Sequence, residues 1–285
     1  MAETAQTPGA LESVAPLRHL RLRRGGISYR AAGDPAAPAL VLLHGVGSGS
    51  ASWAAQLADL SPYYHVIAWD APGYGGSEPL REASPRAADY AAALGEFVTA
   101  LGLGRFHLLG HSLGAVMAAA FCRGAEKARV LRLILASPAA GYGRAEEALR
   151  KAKIDGRLAD MARLGPDGLA AARAPALLSA RASAAAVERV CAAIRGLHPE
   201  GYAQAVRMLG QADILADVAA IAAPALVLCG SADGVTPEAG CRRIADALPG
   251  AIYRQLPGLG HAAYIEDPAG FDRALLDFIE KESSP

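Results

Sequence analysis

Short apolar runs alternate with helix-like stretches along most of this 285-residue chain. Residues 39–43 are apolar at every position, which is typical of a strand buried on both faces of a parallel sheet. Strands are predicted at 17–22, 27–31, 39–43, 65–69, 106–109, 130–136, 225–229 and 251–256. Helices are predicted from about residue 52, and at 84–101, 113–121, 237–248 and 268–280. This alternation predicts an α/β fold with a doubly wound, mostly parallel eight-stranded sheet.

The strand pattern disappears between residues 137 and 217, where helix-like segments and loop-forming residues replace it. We therefore predict a helical cap at 139–215, inserted after the strand 130–136 into a core made of 16–138 and 216–285. Residues 1–15 contain one proline and two glutamates but no apolar core of a secretory signal. They predict a disordered leader.

Composition narrows the possible partners. The chain is 52% hydrophobic and 20% charged with a formal net charge of +0, whereas a nucleic-acid partner requires a basic surface. No run of 18 apolar residues is present, so no membrane span is expected. The four cysteines are scattered without C-x-x-C spacing, which favours reduced thiols and a cytoplasmic protein. A monomer and a homodimer are both open.

The pentamer Gly110-His-Ser-Leu-Gly114 lies between a predicted buried strand and a predicted helix. In that context Gly-x-Ser-x-Gly indicates a nucleophile elbow, with Ser112 exposed on a sharp turn. The flanking glycines suit a turn that leaves no room for side chains. Ser112 is therefore the predicted nucleophile of an acyl-transfer site.

A serine nucleophile needs a base, and the base needs an orienting acid. Among seven histidines, His261 lies in a glycine-rich loop just after the last strand, where residues that contact ligands collect. His111 is beside the nucleophile and is expected to face elsewhere. Asp233 follows the strand 225–229, and Ser137 and Pro138 at the rival strand end offer no carboxylate. The predicted order is Ser112, Asp233, His261.

The oxyanion formed during acyl transfer needs two donors. We predict the backbone N–H groups of Leu113 and of Val46, the latter in the glycine-rich loop after the strand 39–43. His44 in that loop is expected to be structural. No metal cluster, phosphate loop or dinucleotide fingerprint is convincing, so no metal and no cofactor are predicted.

Five segments together resemble the α/β-hydrolase fold superfamily over nearly all of residues 17–279. They are 43–48, Asp-Ala-Pro-Gly-Tyr-Gly-Gly-Ser at 70–77, 110–114, 230–237 and 260–261. Within the superfamily the chain resembles bacterial ester and lactone hydrolases near the 3-oxoadipate enol-lactonases, and more loosely the meta-cleavage C–C hydrolases. Ser112 departs from haloalkane dehalogenases and epoxide hydrolases, whose nucleophile is aspartate. The resemblance implies a cofactor-free serine hydrolase of a small to medium ester or lactone, which it would cleave through an acyl-enzyme.

Two alternatives stay open: hydrolysis of a C–C bond in an aromatic meta-cleavage product, and a non-catalytic binding protein on the same scaffold. The substrate-binding residues are not identified by the sequence. The segment 137–215 carries eleven basic and eight acidic side chains, a net charge of +3, but alanine and leucine dominate it. We predict an apolar cavity that accepts neutral esters. An arginine turned inward would instead select a carboxylate-bearing substrate.

Overall fold

A computed structural model describes residues 8–280 and contains the predicted eight-stranded sheet. The strands lie in the order β1-β2-β4-β3-β5-β6-β7-β8. Pairs β1–β2 and β2–β4 are antiparallel, and every other pair is parallel. The strands are β1 (Leu17–Leu22), β2 (Gly25–Ala32), β3 (Ala39–Leu43), β4 (His65–Trp69), β5 (Phe106–His111), β6 (Val130–Ala136), β7 (Ala225–Gly230) and β8 (Ile252–Leu256).

Helices connect these strands, with bounds close to those predicted. The α-helices are α1 (Pro8–Val14), α2 (Ala54–Asp59), α3 (Ala87–Ala100), α4 (Leu113–Arg123), α5 (Glu147–Arg173), α6 (Ala184–Arg195), α7 (Pro199–Gln211), α8 (Ile214–Val218), α9 (Glu238–Ala247), α10 (Ala263–Glu266) and α11 (Pro268–Glu280). Short 3₁₀ turns occur at Ser50–Trp53, Lys127–Arg129 and Ala174–Leu177.

Strand pairing decides where loops meet. The chain first winds from β3 toward β4 and later crosses to β5 on the other side, so the carboxyl ends of β3 and β5 are neighbours. Leu43 pairs with Gly110, which places the loop after β3 beside the turn after β5. Ligands of open α/β sheets bind at such a switch point. Gly230 pairs with Leu256, which brings the loops after β7 and β8 together.

Three helices between β6 and β7, here called the cap helices, are α5, α6 and α7. Helix α5 is broken at Gly165, whose φ of 63° is left-handed, and Pro166 follows it. A proline cannot continue the preceding hydrogen-bond ladder, so the two halves of α5 run in different directions. Helix α8 packs against α4 and α9 of the core instead of joining the cap helices.

A pair of glycines forms one contact between the cap helices and the core. Gly73, with φ 84°, lies in the turn after β4, and Gly201 lies in the first turn of α7. A Cβ on Gly201 would overlap the backbone of Gly73, and a Cβ on Gly73 would lie 2.5 Å from the Gly201 Cα. The two backbones are therefore in direct contact, and neither position has room for a side chain.

The amino terminus differs from the prediction of a disordered leader at 1–15. Residues 8–14 form α1, whereas residues 1–7 lie outside the described part of the chain. Leu11 is buried, and the Arg30 guanidinium on β2 donates a hydrogen bond to the Ala15 carbonyl (2.7 Å) and pairs with Glu12. A seven-residue helix is too short to be stable alone, so these tertiary contacts hold it and local composition could not predict it.

A carboxylate is buried between α11 and α2. Asp272 on α11 is 5% exposed and accepts one hydrogen bond from the Gln56 amide (3.0 Å). Its Oδ2 and the Gln56 Oε1 have no hydrogen-bond partner in the described residues. Burial, helped by the charges of Asp59 and Asp267, raises the pKa of Asp272 to about 7.

We expect Asp272→Asn to stabilise the protein increasingly as the pH rises. Because the pKa of Asp272 is raised on folding, the folded protein keeps a proton that the unfolded chain releases between about pH 4 and pH 7. The contribution of Asp272 to the free energy of unfolding therefore falls through that window and is level above it. The advantage of Asp272→Asn should grow by on the order of 2–3 kcal/mol between pH 5 and pH 8 in urea unfolding.

The matched control is Asp246→Asn, at an exposed aspartate on α9. It removes one carboxylate from the surface and leaves the Asp272–Gln56 hydrogen bond in place. Equal pH dependence in the wild type and Asp272→Asn would contradict the raised pKa.

Candidate active site

Ser112 occupies a strained turn between β5 and α4. Its backbone has φ 52° and ψ −110°, and Ser112 is 7% exposed. A Cβ on Gly110 would overlap the Gly114 carbonyl, and one on Gly114 would overlap the Leu43 carbonyl. The two glycines are therefore required by close backbone approach, as the elbow motif predicted. A serine with positive φ is uncommon and is found mostly at functional sites.

A hydrogen-bonded pair of side chains faces this turn. His261, in the loop after β8, lies with its Nδ1 2.9 Å from Oδ2 of Asp233, in the loop after β7. Both residues are buried, at 4% and 6% exposure. Ser112 and His261 line the same cavity, although no hydrogen bond joins the serine hydroxyl to the ring in the described residues. Such bonds are often long in unliganded enzymes.

Four donors surround the Asp233 carboxylate. The backbone N–H groups of Val235 and Thr236 donate to Oδ1, each at 2.8 Å, and the Thr236 hydroxyl donates to Oδ2 at 2.7 Å. The fourth donor is the ring of His261. Burial alone would raise the pKa of Asp233, but the hydrogen bonds from His261 and Thr236 outweigh it and hold the pKa well below its usual range. Asp233 is therefore ionised in the folded protein at neutral pH.

Thr236 was not singled out by the sequence. Its hydroxyl also lies 3.1 Å from His261 Nδ1 and 3.1 Å from the carbonyl oxygen of Ser137, which has a positive φ of 45°. The end of β6, which has no carboxylate, thus contributes a backbone acceptor to the site. The available signal was the spacing, because a hydroxyl three residues after a turn aspartate often lies within its hydrogen-bond reach.

His111 does not face away from the site, contrary to the prediction. Its Nε2–H donates to the backbone carbonyl of His261 at 2.9 Å, and the two ring centroids are 4.8 Å apart. Tyr264 packs on His111 at 4.9 Å and stacks on Trp53 at 4.0 Å. Burial, reinforced by the neighbouring charge of His261, lowers the pKa of His111 to about 3, so the ring is a neutral support for the His261 loop.

The loop after β3 is fixed by His44. The Nδ1–H of His44 donates to the Gly45 carbonyl (2.8 Å), and the Ala71 N–H donates to its Nε2 (3.0 Å). Burial lowers the pKa of His44, which keeps it neutral. Because the C=O and N–H of a trans peptide point in opposite directions, this bond turns the Val46 N–H away from His44. Val46 and Leu113 both line the cavity that Ser112 faces.

Asp70 is likewise engaged in the scaffold. Its carboxylate accepts hydrogen bonds from the Ser50 N–H (2.7 Å) and the Ser28 hydroxyl (2.6 Å), which ties the turn after β4 to β2.

The cavity above Ser112 has a volume of about 550 Å³ and lies between the core loops and the cap helices. Apolar side chains form most of its cap wall, including Leu169, Val190, Ile194, Leu197 and Leu209. A cavity of this size fits a small to medium organic substrate.

Two further kinds of site are absent from residues 8–280. No cluster of three or more histidine, cysteine or acidic side chains could hold a metal ion there. No helix in this range is both long and apolar enough to cross a bilayer. The four cysteines are buried and free.

A family model for the alpha/beta hydrolase fold matches residues 38–268. The chain is 32% identical to "Putative carbamate hydrolase RutD" of Variovorax paradoxus, covering 91% of this chain and 98% of the relative. It is 27% identical to "2-hydroxy-6-oxononadienedioate/2-hydroxy-6-oxononatrienedioate hydrolase 1" of Dechloromonas aromatica, covering 98% and 99%. The crystal structure of the enol-lactonase from Burkholderia xenovorans LB400 aligns with a TM-score of 0.79 at 27% identity, covering 92% and 99%. As its motifs and sheet topology predicted, the chain belongs to the alpha/beta hydrolase fold family.

Proposed function

We propose that this protein is a serine hydrolase that cleaves a carboxylic ester or lactone through an acyl-enzyme on Ser112. The observation that carries the proposal is the hydrogen bond of 2.9 Å between Asp233 and His261. The His261 imidazole lines the same cavity as Ser112. Membership of the alpha/beta hydrolase fold family and the likeness to an enol-lactonase support it.

Each residue has a defined task in this mechanism. Ser112 Oγ attacks the acyl carbonyl while His261 takes its proton and then passes it to the leaving oxygen. The ionised Asp233 holds the imidazole tautomer and stabilises the imidazolium. A water then attacks the acyl-enzyme by the same proton route in reverse.

The developing oxyanion would be bound by the backbone N–H groups of Val46 and Leu113. Leu113 is the first residue of α4, so its N–H lies at the positive end of that helix. His44 orients the Val46 peptide through the Gly45 carbonyl, and Tyr74 donates a hydrogen bond to the Val46 carbonyl (3.1 Å). These fixed donors need no reorganisation during the reaction.

A carbamate is the second candidate substrate, because of the relative named for carbamate hydrolysis. A carbamate presents the same attacked carbonyl with a nitrogen beside it, so the same residues would act on it. The likeness to the Dechloromonas aromatica hydrolase keeps C–C bond hydrolysis as a third arm of the test. The four free, buried thiols support a cytoplasmic location as part of this proposal.

The test combines turnover and labelling. We expect hydrolysis of p-nitrophenyl butyrate, and a single fluorophosphonate adduct that peptide mass spectrometry places on Ser112. A panel with a γ-lactone, an aryl carbamate and a vinylogous diketone acid then ranks the three substrate classes by kcat/KM. A folded protein without turnover and without an adduct would favour the binding-protein alternative and contradict the proposal.

A further inference from the structure

Polar side chains from three elements meet in the wall of the cavity described above. Arg157 comes from the first half of α5, Tyr202 from α7 and Tyr142 from the loop after β6, and all three line the cavity. The Arg157 guanidinium lies within hydrogen-bond reach of both tyrosine hydroxyls, and these contacts raise the pKa of Arg157 more than its burial lowers it. The wall predicted as apolar therefore contains a cation.

Arg157 differs from the other arginines around it. Arg144 pairs with Asp213 at 2.7 Å, Arg173 pairs with Asp160 at 2.8 Å, and Arg195 pairs with Glu188 at 2.6 Å. Within residues 8–280, by contrast, no carboxylate lies within ion-pair distance of Arg157. A half-buried guanidinium without a counter-ion is unfavourable in an apolar cavity and becomes favourable when an anion joins it.

Tyr202 is the second sign of a missing ligand. Tyr202 is 2% exposed, and its buried hydroxyl lies beside the Arg157 guanidinium, which can only donate to it. The hydroxyl proton has no acceptor in the described residues. Buried O–H groups nearly always have an acceptor, so this one indicates a site for an acceptor from outside the chain. A carboxylate supplies acceptors for both groups.

The charge of the cavity wall is consistent with an anionic occupant. Its lining side chains include two guanidinium groups, Arg157 and Arg173, and one carboxylate, Asp160. Asp160 is bonded by both Arg163 and Arg173, so its charge is already balanced. The surplus positive charge therefore lies on Arg157.

We propose that Arg157 and Tyr202 bind a carboxylate on the substrate, so that the enzyme prefers esters or lactones carrying a free acid group away from the bond that is cleaved. This inference rests on the proposed function, which supplies the reaction. The preference for an acid group rests on Arg157 and the two tyrosines beside it. The neutral-ester cavity predicted from the sequence is replaced by its alternative, because the side-chain direction of one arginine decides between them.

The test compares two substrates of equal size. One is the p-nitrophenyl half-ester of adipic acid, and the other is the matching ester of adipamic acid, in which a neutral amide replaces the carboxylate. We expect the wild type to prefer the acid by roughly tenfold or more in kcat/KM, mainly through KM, as a charged hydrogen-bonded pair implies. Arg157→Gln should lose that preference, because its kcat/KM for the acid falls by roughly tenfold or more toward its kcat/KM for the amide.

Two variants keep the result interpretable. Arg157→Lys, which retains the charge but loses the bidentate fork, should keep part of the preference. Arg144→Gln removes a surface arginine from the same segment and should leave the preference unchanged. Thermal unfolding of each variant shows whether it is folded. An undiminished preference in folded Arg157→Gln, or no preference in the wild type, would overturn the assignment.

A binding measurement separates this inference from the proposed function. Adipate itself carries no ester, so calorimetry on Ser112→Ala reports the subsite without catalysis. Binding that weakens by roughly tenfold in Ser112→Ala/Arg157→Gln supports the subsite even if no ester is hydrolysed. Equal hydrolysis of both esters together with no adipate binding would overturn the subsite and leave the serine hydrolase intact.

Discussion

Ser112→Ala should reduce kcat for p-nitrophenyl butyrate by on the order of 10³ to 10⁶, the range found when a triad nucleophile is removed. The substitution removes Oγ, the only atom of Ser112 that can form the acyl bond. It keeps the Cβ at a backbone φ of 52°, so the strain of the turn is unchanged. The fold and the free energy of unfolding should therefore stay close to those of the wild type.

Ser48→Ala is the matched control, since Ser48 lines the same cavity and its hydroxyl contacts the Tyr264 hydroxyl at 3.2 Å. Losing this one neutral hydrogen bond should cost at most roughly tenfold in kcat. Steady-state kinetics and intact mass after fluorophosphonate treatment measure both variants. Near-native turnover by folded Ser112→Ala would place the active centre elsewhere.

Asp233→Asn should lower kcat by about 10²- to 10⁴-fold while the KM changes little. All four contacts to the Asp233 carboxylate come from donors, so an amide NH₂ must face a donor on one side. The two backbone N–H groups cannot turn, and the NH₂ is therefore directed toward His261. The imidazole must then accept at Nδ1 and carry its proton on Nε2, the tautomer that cannot take the proton of Ser112.

Thr236→Val distinguishes the effect of the Asp233 charge from the effect of the hydrogen bonds around it. It retains the charge of Asp233 and removes one hydrogen bond, so its loss in kcat should be roughly tenfold or less. Comparable losses in Asp233→Asn and Thr236→Val would mean that only the geometry of the loop matters. A nearly unaffected Asp233→Asn would exclude Asp233 as the orienting acid.

The sheet was predictable because its signals are local. Strand β3 is apolar at every position, β5 has the apolar run Leu108–Leu109 and is buried throughout, and each leads into a glycine-rich turn. The parallel pairing of neighbouring strands then places their carboxyl ends together. Residues that contact ligands collect at the carboxyl ends of parallel strands. This rule alone, without knowledge of side-chain directions, predicts where Ser112, Asp233 and His261 lie.

Contacts across elements were not predictable in the same way. Thr236 reaches Asp233 only because the loop after β7 curls into a turn. His111 reaches the His261 carbonyl because the end of β5 lies beside the loop after β8. Each depends on a backbone path of a few residues, and no periodic pattern in the sequence encodes such a path.

The direction of Arg157 was hidden for another reason. Helix α5 has polar residues on most of its surface, so its pattern did not identify one inward face. The break at Gly165 sets how the first half of the helix lies over the cavity, and tertiary packing then decides which arginine turns inward. Sequence analysis therefore predicted that such an arginine could exist without identifying it.

The glycine pair Gly73 and Gly201 has a consequence for redesigning substrate range. Each glycine immediately precedes a tyrosine of the site region, Tyr74 and Tyr202. Any side chain at either position would push α7 outward and displace the Tyr202 hydroxyl along with it. Mutant libraries that aim to enlarge the cavity should therefore keep both glycines and vary positions such as Leu169 and Ile194, whose side chains can shrink without moving a backbone.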